Sequence, residues 1–304
     1  MRVVGQPEEG ARRGPEGLYV TIGNFDGFHV GHQAVIRELV SASRDGGRAV
    51  AVTFDPHPAT VVGGGAAPAM LSPGEEKIEL LAGTGLAELV IVPFTRETAS
   101  SDARTFLGRI GVGPGSHLVL GYDFHMGRGR ATDLARLSML GREAGFGLDV
   151  VAPVLWEGAP VSSTRVRESL MSSDPESAER MLGRPYRLRG RVIRGSGIGR
   201  AMGAPTANLS LPPAKLLPGD GVYMVSVRSM SGRPGLLYVG RRPTMGPGER
   251  RVEVHVLDLE GDLYGEALDV ELAGFVREDR AFSSPEELSR QMAADVERAR
   301  RWAG

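Results

Sequence analysis

Through the first half of the chain, short apolar runs closed by polar turns alternate with stretches of helical spacing. Leu18 to Ile22 is apolar and ends in a Gly/Asn/Asp-rich turn, and Val35, Ile36, Leu39 and Val40 then recur at helical spacing between Gln33 and Ser43. Arg48 to Phe54 predicts a second strand, closed by the polar turn Asp55 to Pro58. The same reading gives helix over Glu75 to Leu81, strand over Glu88 to Phe94, helix over Asp102 to Ile110 and strand over His117 to Gly121. Helix over Thr132 to Ala144 and strand over Leu148 to Val154 follow. Buried strands separated by helices predict an α/β domain with a doubly wound parallel sheet. Ligands bind such sheets outside the carboxyl ends of the strands. The polar clusters GNFDGFHVGH, DPHP and GYDFHMGRGR all lie directly after strands.

The pattern changes near residue 184. Asp174-Pro175-Glu176 starts a helix, with Asp as N-cap and Pro at the first helical position, and Gly183 stops it. Beyond it come strand patterns at Tyr186 to Ile193, Val222 to Val227, Leu236 to Val239, Arg251 to Leu259 and Ala267 to Leu272, parted by Gly/Pro turns. These predict a small antiparallel β-barrel. A C-terminal helix from Pro285 to Trp302 is opened by Ser284-Pro285-Glu286-Glu287, which has capping-box form. The expected domains are therefore residues 1–183 and 184–304. Gly63-Gly64-Gly65 reads as a flexible loop within the first.

At 304 residues the chain is long enough for two domains, and its 41% hydrophobic and 24% charged residues are those of a globular protein. A net charge of -1 offers no basic footprint for nucleic acid and no polybasic run for anionic lipid. With no cysteine there are no disulfides, thiolate zinc sites or thiol nucleophiles. The N-terminus lacks the apolar core of a secretory signal, and no apolar run is long enough to span a bilayer, so the expectation is a cytoplasmic protein. Whether it forms a homo-oligomer is left open.

His29-Val30-Gly31-His32 is the sharpest local feature. Two histidines three apart at a strand-loop-helix junction share one face of the first helical turn. The unpaired N–H groups and positive dipole end there suit a polyphosphate, and imidazoles can donate to phosphate oxygens as charge builds. Gly31 lets the backbone approach closely. Alone, the pair reads first as helix-start histidines bound only to backbone or water, and more weakly as zinc ligands. Ser162-Ser163-Thr164-Arg165 stands at a second strand-to-helix junction, where hydroxyls either cap the helix or hold phosphates.

In order, GNFDG, HVGH, TFDPHP, GYDF with its GRGR tail and SSTRVR resemble the nucleotidylyltransferase domain of the bifunctional riboflavin kinase/FMN adenylyltransferases, the prokaryotic FAD synthetases. The resemblance implies that His29 and His32 contact ATP phosphates in catalysis. It implies that Gly23, Asn24, Phe25, Asp26, Gly31, Asp55, Asp123, Ser163, Thr164 and Arg165 bind ATP or FMN. His125-Met126 stands where the family usually has an Arg-aromatic pair.

In the second half, Gly195-Ser196-Gly197-Ile198-Gly199-Arg200 is glycine-rich, but Arg200 takes the place of the third glycine of a dinucleotide fingerprint; by itself it is a hairpin turn. Gly203-Ala204-Pro205-Thr206-Ala207-Asn208 resembles the Gly-Phe-Pro-Thr-Ala-Asn motif of riboflavin kinases, with Ala204 for Phe. That resemblance implies Mg²⁺ and ATP phosphates on Thr206 and Asn208. It adds Gly195, Gly197, Gly199, Arg200, Gly203 and Pro205 to the site that takes ATP and riboflavin. In Arg251-Val252-Glu253-Val254-His255-Val256, alternation sends the valines to the core and Arg251, Glu253 and His255 to the other face. The plain reading is an exposed strand face; the resemblance makes Glu253 the general base toward the riboflavin 5′-hydroxyl. Gly240-Arg241-Arg242-Pro243-Thr244 and Leu263-Tyr264-Gly265 match further family segments, with Tyr238 where Asn is usual. The implied function is FAD synthesis from riboflavin with ATP and Mg²⁺. Its rivals are an adenylyltransferase of another substrate with the barrel as an anchor, and a flavin-binding protein without catalysis.

Overall fold

The computed structural model describes residues 1–5, 17–63, 68–194, 205–241, 250–259 and 261–303. The chain divides into two compact units, Met1–Ser163 and Thr164–Gly304.

The first unit is a parallel sheet of six strands: β1 (Arg2–Val4), β2 (Leu18–Ile22), β3 (Arg48–Asp55), β4 (Glu88–Pro93), β5 (His117–Gly121) and β6 (Gly147–Val151). They lie in the order β1-β4-β3-β2-β5-β6, so the winding reverses between β2 and β5. Helices α1 (Val30–Ala42), α2 (Pro58–Val62), α3 (Glu75–Ala82), α4 (Arg96–Ser100), α5 (Ala103–Arg109) and α6 (Leu134–Ala144) connect them. Alternate strand residues feed two cores. Val20, Ile22, Val50, Val52, Leu118 and Leu120 pack with Phe106 and Leu137 of α5 and α6. Ala49, Ala51, Leu89 and Val119 pack with Ile36, Leu39 and Leu81 of α1 and α3. Because both faces are covered, the strands read as continuous apolar runs. The doubly wound expectation holds, and the GNFDGFHVGH and GYDFHMGRGR clusters leave the two strands that flank the switch point. A short hairpin, β7 (Leu155–Trp156) and β8 (Ala159–Pro160), leads to the end of the unit.

The second unit opens with α7 (Ser163–Met171, whose first residue closes the first unit) and α8 (Pro175–Leu182). Asp174 caps α8 by accepting from Ser177 N at 2.9 Å, and Gly183 ends it in the left-handed region. Ala178, Met181 and Leu182 of α8 are buried, and α8 packs on β14 (Ala267–Glu278). The rest is a closed antiparallel barrel in the order β10-β13-β12-β11-β14-β9, formed with β9 (Arg187–Ile193), β10 (Ala207–Ser210), β11 (Gly221–Val227), β12 (Arg233–Gly240) and β13 (Arg251–Val256). Tyr223, Leu237 and Val254 face one another across three strands and are buried in its interior. The C-terminal helix α9 (Pro285–Ala303) covers an outer patch of Val222, Leu236, Leu257 and Val276 with Ala299. At its start Ser284 Oγ accepts from Glu287 N, while the Glu287 carboxylate reaches the N–H of Ser283 rather than of Ser284. Sequence spacing ended the last strand at Leu272. The structure carries it to Glu278, because β14 pairs with β9 over Ala267 to Glu271 and with β11 from Val270 to Glu278.

Candidate active sites

In the first unit, the loop leaving β2 shapes the amino end of α1. Phe25 and Phe28 take positive φ values, 50° and 40°, and are buried. Such backbone persists in a non-glycine residue only where its surroundings over-determine it. The turn delivers His29 to the N-cap of α1, where its Nδ1 accepts from His32 N at 3.3 Å. The two imidazoles stack, with centroids 3.7 Å apart and planes 18° apart, and Phe25 meets His32 edge-on at 5.4 Å. Gly31 makes room for the pair: a Cβ there would stand 3.1 Å from His29 Cε1 and Nδ1. The structure thus adds a steric reason for Gly31 to the backbone reason read from sequence.

His32 Nδ1 is buried without a hydrogen-bond partner among the described residues. Burial, then the neighbouring His29 and Lys77, push the His32 pKa well below its usual 6.5, so the free site holds it neutral. Lys77, on α3, is buried and was not singled out by sequence reading. Its Nζ donates to Thr53 Oγ1 at 3.4 Å, and Thr53 Oγ1 donates to the Asn24 carbonyl at 3.2 Å. Burial lowers the Lys77 pKa against the opposing pull of Asp26 and Asp55. The signal available in sequence was a lysine on the apolar side of an otherwise ordinary helix pattern, one turn from two leucines.

Asp26 turns away from open space. Its two carboxylate oxygens accept from the backbone N–H groups of Leu71 and Ser72, at 3.1 and 3.0 Å, and Gly27 N donates to Ser72 Oγ at 2.8 Å. Asp26 therefore holds one loop against another. Ser163 Oγ donates to the Asp26 carbonyl at 2.9 Å, which ties the start of α7 to the GNFDG loop. Thr164 and Arg165 follow in the first turn of α7. Gly23 N donates to Val52 O at 3.0 Å. Asp55 is exposed at the end of β3, and Asp123 is exposed after β5. His125 Nδ1–H donates to the Asp123 carbonyl at 2.8 Å, so this side chain is occupied by its own turn.

In the second unit, Asn208 of β10 lies directly opposite Glu253 of β13, and Thr206 Oγ1 donates to Glu253 Oε2 at 3.1 Å. Pro205 O receives His255 Nδ1–H at 2.9 Å. The alternation predicted for β13 is present, but its polar face is not an open one: Glu253 is only 5% exposed. A carboxylate with so little water around it needs partners, which an exposed strand face would not. Thr206, Asn208 and Glu253 gather a hydroxyl, an amide and a carboxylate, all hard oxygen donors of the kind Mg²⁺ prefers. Among the described residues no cluster of three or more His, Cys, Asp or Glu could cage a metal by itself. That donor set fits an ion shared with nucleotide phosphates. Gly195, Gly197, Gly199, Arg200, Gly203 and Ala204 lie outside the described residues, as do Arg242, Pro243, Thr244, Gly64 and Gly65. Arg194 lies over the Tyr264 ring at 5.6 Å, and Gly265 N donates to Val192 O, which holds the Leu263-Tyr264-Gly265 segment against β9.

A doubly wound sheet with paired histidines at its switch point, and a closed barrel with a buried acid beside a Thr/Asn pair, are the features of a two-part phosphotransferase and nucleotidyltransferase. Residues 11–165 match the FAD synthetase family and residues 182–303 the riboflavin kinase family. The chain is 39% identical to the bifunctional riboflavin kinase/FMN adenylyltransferase of Pseudomonas fluorescens, over 93% of this chain and 92% of the relative. It is 36% identical to the Escherichia coli protein of that name, over 95% and 94%, and 32% identical to that of Bacillus subtilis, over 93% and 92%. A crystal structure from Streptococcus pneumoniae that bears the name macrolide-efflux protein superposes with a TM-score of 0.86 at 29% identity, over 99% of this chain and 100% of that one. No helix among the described residues is long and apolar enough to cross a membrane. The chain belongs to the bifunctional riboflavin kinase/FMN adenylyltransferase family.

Proposed function

We propose that the two activities of this family are divided in the chain as its two motif sets are: riboflavin is phosphorylated at the Thr206–Asn208–Glu253 site, and FMN is adenylylated at the His29–His32 site. The enzyme is a transferase of FAD biosynthesis that uses two ATP molecules and Mg²⁺, with riboflavin, FMN and FAD as substrates and products. The functional boundary falls at Gly183–Arg184, giving domains 1–183 and 184–304. Small molecules are its partners, nucleic acid and membranes are not, and it works in the cytoplasm, where ATP and Mg²⁺ are plentiful.

In the kinase step Glu253 takes the proton of the riboflavin 5′-hydroxyl as that oxygen attacks the γ-phosphorus of ATP. The bond to the ADP oxygen breaks, and ADP leaves. Thr206 and Asn208 would hold the Mg²⁺-bound nucleotide; Gly195, Gly197, Gly199, Arg200 and Gly203 lie outside the described residues and are assigned to it by their motif alone. Mg²⁺, when bound, neutralises charge on the β- and γ-phosphates. In the second step an FMN phosphate oxygen attacks the α-phosphorus of ATP, and pyrophosphate leaves. His29 and His32 donate to the phosphates there. A neutral His32 in the free site avoids charge repulsion from His29 and Lys77, and arriving polyphosphate draws its pKa back up. Gly23, Asn24, Phe25, Asp26, Gly31, Asp55, Asp123 and Ser163, all of the first unit, are assigned to ATP or FMN by their motifs, and Thr164 and Arg165 carry the same assignment from the family motif alone.

The observation that carries the reading is the buried Glu253 held by Thr206 across from Asn208. Binding alone gains nothing from a desolvated carboxylate there, whereas proton removal requires one. Incubation of the pure protein with riboflavin, ATP and Mg²⁺, with FMN and FAD resolved by chromatography, tests it. Both products are expected in sequence, and the absence of both would end the proposal.

A further inference from the structure

Tyr238 lies on the kinase face, yet neither the nucleotide nor the general base accounts for it. On β12 it stands directly opposite Glu253 of β13, which is itself opposite Asn208 of β10. Opposed residues share a face of the sheet, with Cβ atoms about 4.5–5.5 Å apart. The ring packs on the apolar layer under α9, among Val222, Leu236 and Val276. Its hydroxyl does something else: it donates to Asp279 Oδ2 at 3.0 Å. Burial first, then the charge and hydrogen bond of Asp279, and then Glu253, hold the phenol protonated far above the usual tyrosine range.

Gly240 supplies an independent observation. A Cβ at that position would stand 2.4 Å from the Tyr238 oxygen and 2.8 Å from Asp279 Oδ2. The hydroxyl and the carboxylate meet only because the residue two further along the strand has no side chain. Packing alone would be served by phenylalanine, which buries no hydroxyl and needs no acid, although its ring would need Gly240 too, since Tyr238 Cζ lies 2.7 Å from such a Cβ.

A phenol has one proton. Here it is committed to Asp279, which leaves the oxygen lone pairs as acceptors, strengthened by the charge-assisted bond behind them. The Glu253 carboxylate, next along the row, offers acceptor oxygens. What suits this place is therefore a ligand carrying hydroxyl donors beside the one that Glu253 deprotonates. The ribityl chain of riboflavin is such a polyol.

We propose that Tyr238, oriented by Asp279, is a flavin-specificity residue of the kinase site, its phenol oxygen accepting a hydrogen bond from a ribityl hydroxyl. This rests on Glu253 being the kinase base. In the full chain, Tyr238→Phe raises KM for riboflavin roughly three- to tenfold, the worth of one ordinary hydrogen bond, with kcat within about twofold and KM for ATP unchanged. Asp279→Asn keeps an acceptor for the phenol and lies between wild type and Tyr238→Phe. With riboflavin analogues that each lack one ribityl hydroxyl, a single analogue erases the difference between wild type and Tyr238→Phe. An unchanged riboflavin KM in Tyr238→Phe overturns the proposal, as does a fall in kcat alone or the same penalty with every analogue. Glu253→Gln, assayed in parallel, separates the two levels. If it still phosphorylates riboflavin at the wild-type rate, the base assignment is what fails. If it is inactive while Tyr238→Phe keeps its KM, only the Tyr238 proposal falls.

Discussion

Gly31→Ala separates activity from stability. The new Cβ would lie 3.1 Å from His29 Cε1 and Nδ1 and 3.6 Å from the Val161 carbonyl. The carbonyl distance is ordinary contact, so the strain falls on the imidazole, which must retreat by a few tenths of an ångström. His29 is stacked 3.7 Å from His32 and is the N-cap of α1, so its ring cannot retreat without disturbing either the stack or the cap. Misplacement of a catalytic group by about 1 Å costs on the order of a hundredfold, so a shift of this size is expected to slow FAD formation roughly tenfold. Alanine in a helix is meanwhile better than glycine by about 1 kcal/mol, and Gly31 is the second residue of α1. Strain at the cap offsets that gain, so the variant should melt close to the wild-type temperature while converting FMN to FAD about ten times more slowly, with riboflavin phosphorylation unchanged. Chromatographic rates for both steps and one thermal melt decide it. Wild-type FAD formation, or an equal loss of both activities, would refute the packing argument.

Other consequences follow from the same geometry. Lys77→Met removes one of the positive charges that lower the His32 pKa, so that pKa rises, and because His32 acts as a proton donor the alkaline limb of the FMN-adenylylation pH profile moves to higher pH. A limb that stays in place would show that the two groups are not coupled. Asp26→Ala orphans the N–H groups of Leu71 and Ser72 and should cost about 1–3 kcal/mol per unsatisfied buried group, read by denaturant titration. A loss well under 1 kcal/mol would mean that the loop finds other acceptors. A fragment from Arg184 should phosphorylate riboflavin unaided, but one from Thr164 should melt higher, because it keeps buried Ala178, Met181 and Leu182 and the Tyr223–Ser173 hydrogen bond. Equal melting temperatures would show that α7 and α8 add nothing to the barrel.

The central strands of the sheet were legible because they are buried and bounded by polar turns: Leu18–Ile22 and His117–Gly121 form where the apolar runs predict, whereas β1, a three-residue strand with two exposed residues, was not read. α1 begins earlier than its apolar spacing suggests, because the start signal is a histidine acting as N-cap, a role imidazole seldom announces. β10 was hidden inside a motif read for chemistry, since Ala207–Ser210 is only four residues long. For the sites, residue order was enough to bring forward His29, His32, Thr206, Asn208 and Glu253. It was silent on Lys77 and on the Tyr238–Asp279 pair, whose partners lie 24 and 41 residues away and meet only through the fold. It also presented Asp26 as a ligand-facing acid, where the structure turns that carboxylate onto two backbone amides.

The division of two chemistries between two sites is tested most directly by placing one lesion in each. His32→Ala and Glu253→Gln are assayed separately with riboflavin, ATP and Mg²⁺, and again with FMN supplied. Loss of a donor to developing phosphate charge is worth roughly 10²–10³ in rate, and loss of a general base about 10²–10⁴. The account predicts that His32→Ala accumulates FMN and makes almost no FAD from either substrate. Glu253→Gln should leave riboflavin untouched yet convert supplied FMN to FAD at the wild-type rate. If either substitution abolished both steps in a protein that still melts normally, or if Glu253→Gln phosphorylated riboflavin at the wild-type rate, the central claim would be contradicted.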